Sequence, residues 1–202
     1  MIKGILFDFG ELIAFNNLDK QLEVFAKELK IDAEELKQVE KGSHDKMILG
    51  KLSVKEFLTN VRNKFSLEKD STTLLLVWER IYGEITKLNI GLLNAVKELK
   101  KKYKVGLISN IFDSTAQFHQ RQKLFYFFKP VMLSCRTGIA KPDIRIYARA
   151  IKEMELKGNE VLYVDNNEKY LESAREFGMK TILFENNEQF FKELKKLKIK
   201  YK

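Results

Sequence analysis

A chain of 202 residues with 45% hydrophobic content, including 15 Phe and 7 Tyr, can bury a core, which excludes wholesale disorder. Its longest apolar runs, Thr73–Trp78 and Val105–Ile108, fall far short of the roughly 20 residues that span a bilayer, so no membrane helix is expected. The net charge of +9 gathers in Lys97–Lys104 and Lys192–Lys202, where Lys alternates with Leu, Ile and Tyr; without a helix-turn-helix, zinc-finger or RNP signature this reads as a solvated surface and not a nucleic-acid site.

In chain order the first element is a strand, Ile2–Phe7, that stops on Asp8 with Gly10 two residues later. An ionisable residue just past a buried strand is either a turn former or a functional group at the rim of an α/β crevice. Residues 16–86 then read as four amphipathic helices, Leu18–Leu29, Ala33–Leu49, Val54–Phe65 and Thr72–Tyr82. Leu22, Phe25, Ala26 and Leu29 make one apolar stripe and Phe57, Leu58, Val61 and Phe65 another, and Asp32 and Ser53 fit as N-caps. After residue 86, helix and strand alternate. Leu92, Leu93, Val96, Leu99 and Tyr103 recur at helical spacing before a strand at Lys104–Ser109. A third strand, Val131–Ser134, is followed by an Ile144, Tyr147, Ile151, Met154 stripe, opened by Pro142 in a first-turn position. The fourth strand, Glu160–Val164, precedes a Tyr170, Leu171, Ala174, Phe177 stripe closed by Gly178, and the fifth strand is Lys180–Glu185. This alternation predicts an α/β core of about five parallel strands wrapped by helices, residues 1–15 and 87–202, interrupted by a helical insertion at 16–86.

The ends of parallel strands share one edge of the sheet. Asp8, Ser109-Asn110, Lys141 and Asp165 all fall just at or past such ends, so two carboxylates, a hydroxyl with an amide and an ammonium converge. Two carboxylates plus a backbone carbonyl suit Mg²⁺, a hard cation that takes oxygen ligands. Asp8 and Asp165 can share one ion only if strands one and four are neighbours, which predicts the order 3-2-1-4-5 with the site at the switch point. Lys141 and Ser109 are then left to hold an anion, and a carboxylate in line with a bound phosphoryl group can attack it. Each residue alone also has a plain structural reading: Ser109-Asn110 as a strand-end pair, Lys141-Pro142 as a helix start, Asp165 as a helix cap.

The ordered set FDFGELI, VGLISN, GIAKPDIRIY and VLYVDNNEKYLESAREFGMKTI resembles the haloacid dehalogenase (HAD) superfamily, and within it the helical-cap (subfamily IA-like) branch that includes sugar-phosphate phosphatases. The resemblance runs over residues 2–190. It implies a Rossmann-like core with an inserted cap, and a Mg²⁺-dependent phosphatase acting on a small phosphorylated metabolite through an aspartyl-phosphate. By this resemblance Asp8 is the nucleophile and a metal ligand, the Gly10 carbonyl is a second ligand and Asp165 completes the metal site. Ser109 and Asn110 then bind the phosphate, and Lys141 positions phosphate and nucleophile. Asn16 and Asn17, where the chain leaves the first motif, are candidate substrate contacts.

Two positions depart from the family pattern. Phosphatases of the family typically carry a second Asp two residues after the first, as acid and base; here that residue is Gly10, which lets the backbone turn tightly and offers its carbonyl. General acid–base catalysis contributes about 10²–10⁴-fold, so slow turnover or a preference for good leaving groups is expected, with Glu11, water or the substrate as proton source. The fourth motif reads Asp165-Asn166 where a second Asp is common, and Glu168 can restore that charge. Two other functions stay open: a 2-haloacid dehalogenase-type hydrolase, which needs no metal, and a catalytically weak binding protein of the same fold. The letters DFG at 8–10 lack the Gly-rich loop and HRD element of a protein kinase. Arg145 and Tyr147 read as helix packing and Cys135 as a buried inert thiol. His44 and His119, without a metal-type partner at i+3 or i+4, read as surface residues. One cysteine and no signal-peptide layout point to the cytoplasm, and monomer and homodimer both stay open.

Overall fold

The computed structural model describes residues 1–201. Its main sheet has five strands, β1 Gly4–Phe7, β4 Lys104–Ser109, β5 Val131–Leu133, β6 Val161–Asp165 and β7 Lys180–Leu183, in the order β5-β4-β1-β6-β7, and every pairing is parallel. Counting only these strands along the chain, the order is 3-2-1-4-5. The core strands are buried on both faces, and alternate residues face opposite layers. Ile5, Phe7, Leu107, Leu162 and Val164 pack into one apolar cluster, while Leu6, Ile108, Val161 and Tyr163 pack into the other.

Helices cover both faces. The first cluster takes Leu92, Leu93, Val96 and Leu99 from α5 (Ile90–Leu99) and Phe190 and Leu194 from α10 (Asn187–Lys196). The second takes Ile146, Tyr147, Ala150 and Met154 from α8 (Ile144–Met154) and Leu171 and Ala174 from α9 (Glu168–Glu176). Helix α8 starts later than the sequence suggests: Asp143 is its N-cap, accepting from the Arg145 N–H, and Pro142 lies before the cap. Gly178 follows α9 with φ +82° and donates its N–H to the Arg175 carbonyl at 2.8 Å, the left-handed exit that glycine takes without cost.

Between β1 and α5 lie α1 Leu18–Leu29, α2 Ala33–Ile48, α3 Val54–Lys64 and α4 Ser71–Ile85. Asp32 and Ser53 cap α2 and α3 as their sequences suggest, and Ser53 completes a capping box with Glu56. The four helices share one cluster around Trp78, against which Phe25 and Phe57 stand edge-on at 5.3 and 6.0 Å. One residue from the sheet side, Phe112, joins this cluster.

The two passages between sheet and helices pair with each other, a feature absent from the sequence reading. Short strands β2 Ala14–Phe15 and β3 Lys87–Leu88 run antiparallel. Asn89 reinforces them: its backbone N–H donates to the Ile13 carbonyl at 2.9 Å and its side chain to the Leu12 carbonyl at 3.0 Å. Helix α6, Asp113–Arg121, completes the seam. Its Asp113 accepts from the Val54 N–H at 2.9 Å, and its His119 bonds to Tyr82 of α4 at 2.6 Å. Among the described residues no helix is long and apolar enough to cross a membrane.

Candidate active site

Sheet register builds the site. Phe7 pairs with Val164 on one side and Leu107 on the other, and the Asp8 N–H donates to the Val164 carbonyl at 2.9 Å. One step on, Asp8 and Asp165 stand side by side at the carboxyl edge. Lys141 reaches between them from the loop after α7 (Ser134–Thr137), its Nζ 2.7 Å from Asp8 Oδ1 and 2.7 Å from Asp165 Oδ2. All three side chains are buried, as is Ser109 at the end of β4.

Asp165 is fixed on every side. Its Oδ2 also accepts a short hydrogen bond from the Tyr163 hydroxyl, and its Oδ1 accepts the Asn167 N–H at 2.8 Å. The cap of α9 is Asn167, which accepts from the Lys169 N–H, so Asp165 is free of that structural role. Lys141 is fixed equally well. Its ammonium lies 4.6 Å from the centre of the Tyr170 ring, within cation–π range. Its backbone is gripped by Asn110, whose Oδ1 accepts the Lys141 N–H at 2.8 Å and whose Nδ2 donates to the Lys141 carbonyl at 2.9 Å. The Asn110 side chain is therefore committed to holding Lys141.

The electrostatics leave a deficit of positive charge. Two carboxylates around one ammonium sum to −1 in a buried cluster. Burial pushes the Asp8 carboxyl up to about 6, with Asp165 adding to the rise and the Lys141 ammonium opposing it. Burial alone would lower the Lys141 pKa, but the two carboxylates more than offset it and raise it. A hard cation fits this donor set. The side chains supply two carboxylates, and among the described residues no group of three or more His, Cys, Asp and Glu could hold a metal. Backbone carbonyls and water must complete any coordination, which is how Mg²⁺ is usually held.

Gly10, beside Asp8, does not take the left-handed backbone that calls for glycine. Positive φ falls on Glu11 (+56°) and not on Gly10. A Cβ placed on Gly10 would meet a single atom within 4 Å, Asp8 Oδ2 at 3.9 Å, so the glycine leaves room for a side chain. The two substitutes for the missing acid groups are occupied elsewhere. Glu11 accepts from the Asn16 N–H at 3.3 Å, and Glu168 pairs with Arg175 at 2.5 Å on the surface.

A cavity of about 190 Å³ opens between this edge and α1–α4, its walls including Gly10, Ser109, Asn110, Asn16, Gln21 and His44. That is below the roughly 300–1,000 Å³ of pockets for drug-sized ligands. His119 departs from the surface placement that its sequence context suggests, whereas the His44 side chain is 41% exposed. His119 is fully buried, between Phe9, Phe125 and Tyr82. His44 is half-buried on the cavity wall, with Nδ1 2.6 Å from Glu40 Oε1. Cys135 is half-buried, and burial pushes its thiol up to about 11. Tyr147 is buried and donates to the Tyr170 carbonyl at 2.9 Å, and Arg145 pairs with Asp143 on the surface at 2.5 Å.

Two site residues, Tyr163 and Tyr170, lie within the quoted fourth segment, but their sequence context assigns neither a role at the site. Tyr163 was legible in principle, because a residue two before Asp165 on a strand shares its face.

Residues 2–178 match the family described as haloacid dehalogenase-like hydrolase. The chain belongs to the haloacid dehalogenase-like hydrolases. Among curated relatives, a bifunctional epoxide hydrolase 2 of Sus scrofa is 34% identical over 117 residues, 55% of this chain and 21% of that enzyme. This HAD-like chain thus matches only about a fifth of that relative's length. A D-ribitol-5-phosphate phosphatase of Bacteroides thetaiotaomicron is 28% identical over 96% of this chain and 97% of its own. A glyceraldehyde 3-phosphate phosphatase of Methanocaldococcus jannaschii is 27% identical over 90% and 84%. A HAD family enzyme from Bacteroides thetaiotaomicron, crystallised with magnesium and inorganic phosphate, superposes with a TM-score of 0.79 over 95% of this chain and all of that one, at 19% identity. The family match makes this chain a member of a hydrolase family, and two relatives that span most of it carry phosphatase names.

Proposed function

We propose that the protein is a Mg²⁺-dependent phosphatase of small phosphorylated metabolites, with Asp8 as nucleophile and α1–α4 as a cap over the site. The observation that carries this reading is the Lys141 ammonium held at 2.7 Å from both Asp8 and Asp165. Such a cluster is electrostatically suited to a cation and a phosphoryl group. Phosphatase names on relatives that span nearly the whole chain, and magnesium with phosphate in a protein of the same fold, support the reading.

Asp8 attacks phosphorus with one carboxylate oxygen, the bond from phosphorus to the ester oxygen breaks, and an aspartyl-phosphate forms. Lys141 holds the other oxygen, Oδ1, and so fixes the carboxylate's rotation. The ammonium and the Ser109 hydroxyl receive the phosphoryl oxygens, and Asn110 holds Lys141 in register through its backbone. A divalent cation held by Asp8, Asp165 and the Gly10 carbonyl would neutralise phosphate charge that otherwise repels the nucleophile. The leaving oxygen takes its proton from water or the substrate, since Gly10 has no side chain to give one. Water then attacks phosphorus, releases phosphate and restores Asp8.

Hydrolysis of p-nitrophenyl phosphate, with and without Mg²⁺, by the wild type and Asp8→Asn tests this reading. Turnover that needs both the metal and Asp8 is expected. Turnover that survives Asp8→Asn would refute it, and turnover of 2-haloacids without metal would favour the dehalogenase reading instead.

A further inference from the structure

We propose that His44, held by Glu40, is the cap-side residue that recognises the hydroxyl-bearing end of the substrate, opposite the phosphate site. This rests on the phosphatase reading only in taking Ser109, on the wall of the same cavity, as the phosphate end.

An i,i+4 ion pair on a helix is an ordinary stabilising device. This pair differs in placement. Glu40 is buried, its side chain 9% exposed, and among the described residues its side chain bonds to His44 at 2.6 Å. The imidazole is further clamped by the Phe112 ring, edge-on at 5.3 Å. Burying a carboxylate costs stability unless it is paired, and a solvated pair would serve the helix as well. What the buried one adds is a ring of fixed orientation on the wall of the cavity that also contains Gly10 and Ser109. With Nδ1–H given to the Glu40 carboxylate, Nε2 is left for a ligand, as an acceptor in the neutral ring and as an N–H donor in the imidazolium. The Glu40 hydrogen bond also raises the imidazole's pKa, against its partial burial, which favours the imidazolium.

A second observation defines what the ligand must offer. Gln21 is buried and its Nε2 donates to the Trp78 carbonyl at 3.2 Å, which leaves its Oε1 as an acceptor for Asn16 Nδ2. The Asn16 amide is thereby oriented, and its Oδ1 is buried with no partner among the described residues. An unsatisfied buried carbonyl costs about 1–3 kcal/mol, so a donor from the ligand is the missing complement. The wall therefore carries His44 Nε2 and, at Asn16, a carbonyl whose acceptor capacity is unmet. Hydroxyl groups both accept and donate, and a short polyol or sugar chain satisfies both at once.

Equilibrium binding tests this with the full-length chain, Mg²⁺ present, in the Asp8→Asn background that removes the nucleophile. The probes are D-ribitol 5-phosphate and methyl phosphate, which lacks hydroxyls. The polyol phosphate should bind at least roughly tenfold more tightly than methyl phosphate, the scale of one hydrogen bond to a charged group. His44→Ala should erase that preference, and His44→Gln, which keeps an N–H donor, should retain part of it. An equal preference in Asp8→Asn and its His44→Ala derivative would overturn the proposal, as would no binding of either probe. Binding that depends on His44 without wild-type turnover would instead refute the phosphatase reading and leave this recognition standing.

Discussion

Asn110 and Lys141 hold each other by two reciprocal hydrogen bonds, side-chain amide to backbone amide, at 2.8 and 2.9 Å. The pair joins the end of β4 to the loop that carries the ammonium, across 31 residues of sequence. Removing it in Asn110→Ala leaves the Lys141 N–H and carbonyl unpaired, at a cost of about 1–3 kcal/mol. The expected outcome is a large fall in kcat on p-nitrophenyl phosphate, exceeding what the stability loss explains, read with thermal unfolding as control. Unchanged kcat would show that Lys141 is positioned by its carboxylates alone.

Gly10 invites a gain of function. A Cβ there has open space apart from Asp8 Oδ2 at 3.9 Å, so Gly10→Asp adds a carboxyl beside the nucleophile without a steric barrier. General acid–base catalysis contributes about 10²–10⁴-fold, and the gain should appear on alkyl phosphates, whose leaving groups need a proton. Activity on p-nitrophenyl phosphate should rise far less. The ratio of kcat/KM for the two substrates is the measurement, and an unmoved ratio would deny that position 10 governs leaving-group protonation.

Gly50 sets how closely α2 approaches the sheet domain. Its φ is +66°, and a Cβ there would lie 2.0 Å from the Cys135 carbonyl oxygen. Gly50→Ala must therefore strain its backbone and push two segments apart. At about 1–3 kcal/mol for the strain alone, and about 2–4 °C per kcal/mol for a chain of this size, Tm should fall by several degrees.

His119 makes stability depend on pH. Burial lowers its pKa from 6.5 to about 4. Between those values the unfolded chain binds the proton that the folded chain refuses, so stability falls as pH drops through this window. At about 1.4 kcal/mol per pH unit, pH 5 costs about 2 kcal/mol relative to pH 7. Asp8, raised from 3.8 to about 6, acts in the opposite sense, since the folded chain binds its proton first. The difference in Tm between wild type and His119→Gln, followed from pH 7 to pH 5, isolates the histidine and should shrink as pH falls.

The sheet and the site were legible for one reason. Ile5, Leu6 and Phe7, or Val161 to Val164, are apolar runs that end abruptly on a polar residue, and parallel connectivity brings those ends to one edge. Parts of the molecule without such contrast were not legible. Helix α6 turns Ser114, Ala116 and His119 inward, so its buried face carries no apolar period and His119 looked like a surface residue. The strands Ala14–Phe15 and Lys87–Leu88 are two residues each, too short to pattern. The His44–Glu40 pair stands at ordinary helix spacing, and only its burial and its place on the cavity wall set it apart. Asn110, read as a phosphate ligand, turned out to spend its side chain on Lys141, a partner 31 residues away that no local pattern reveals.

The most direct test of Asp8 as nucleophile is to trap the phosphoryl group. The protein, with Mg²⁺, is mixed with ³²P-labelled acetyl phosphate and quenched in acid before steady state. Protein-bound label that hydroxylamine removes, located on the peptide containing Asp8 and absent from Asp8→Asn, is the predicted result. Wild-type turnover with no label on that peptide, or equal label in Asp8→Asn, would contradict it.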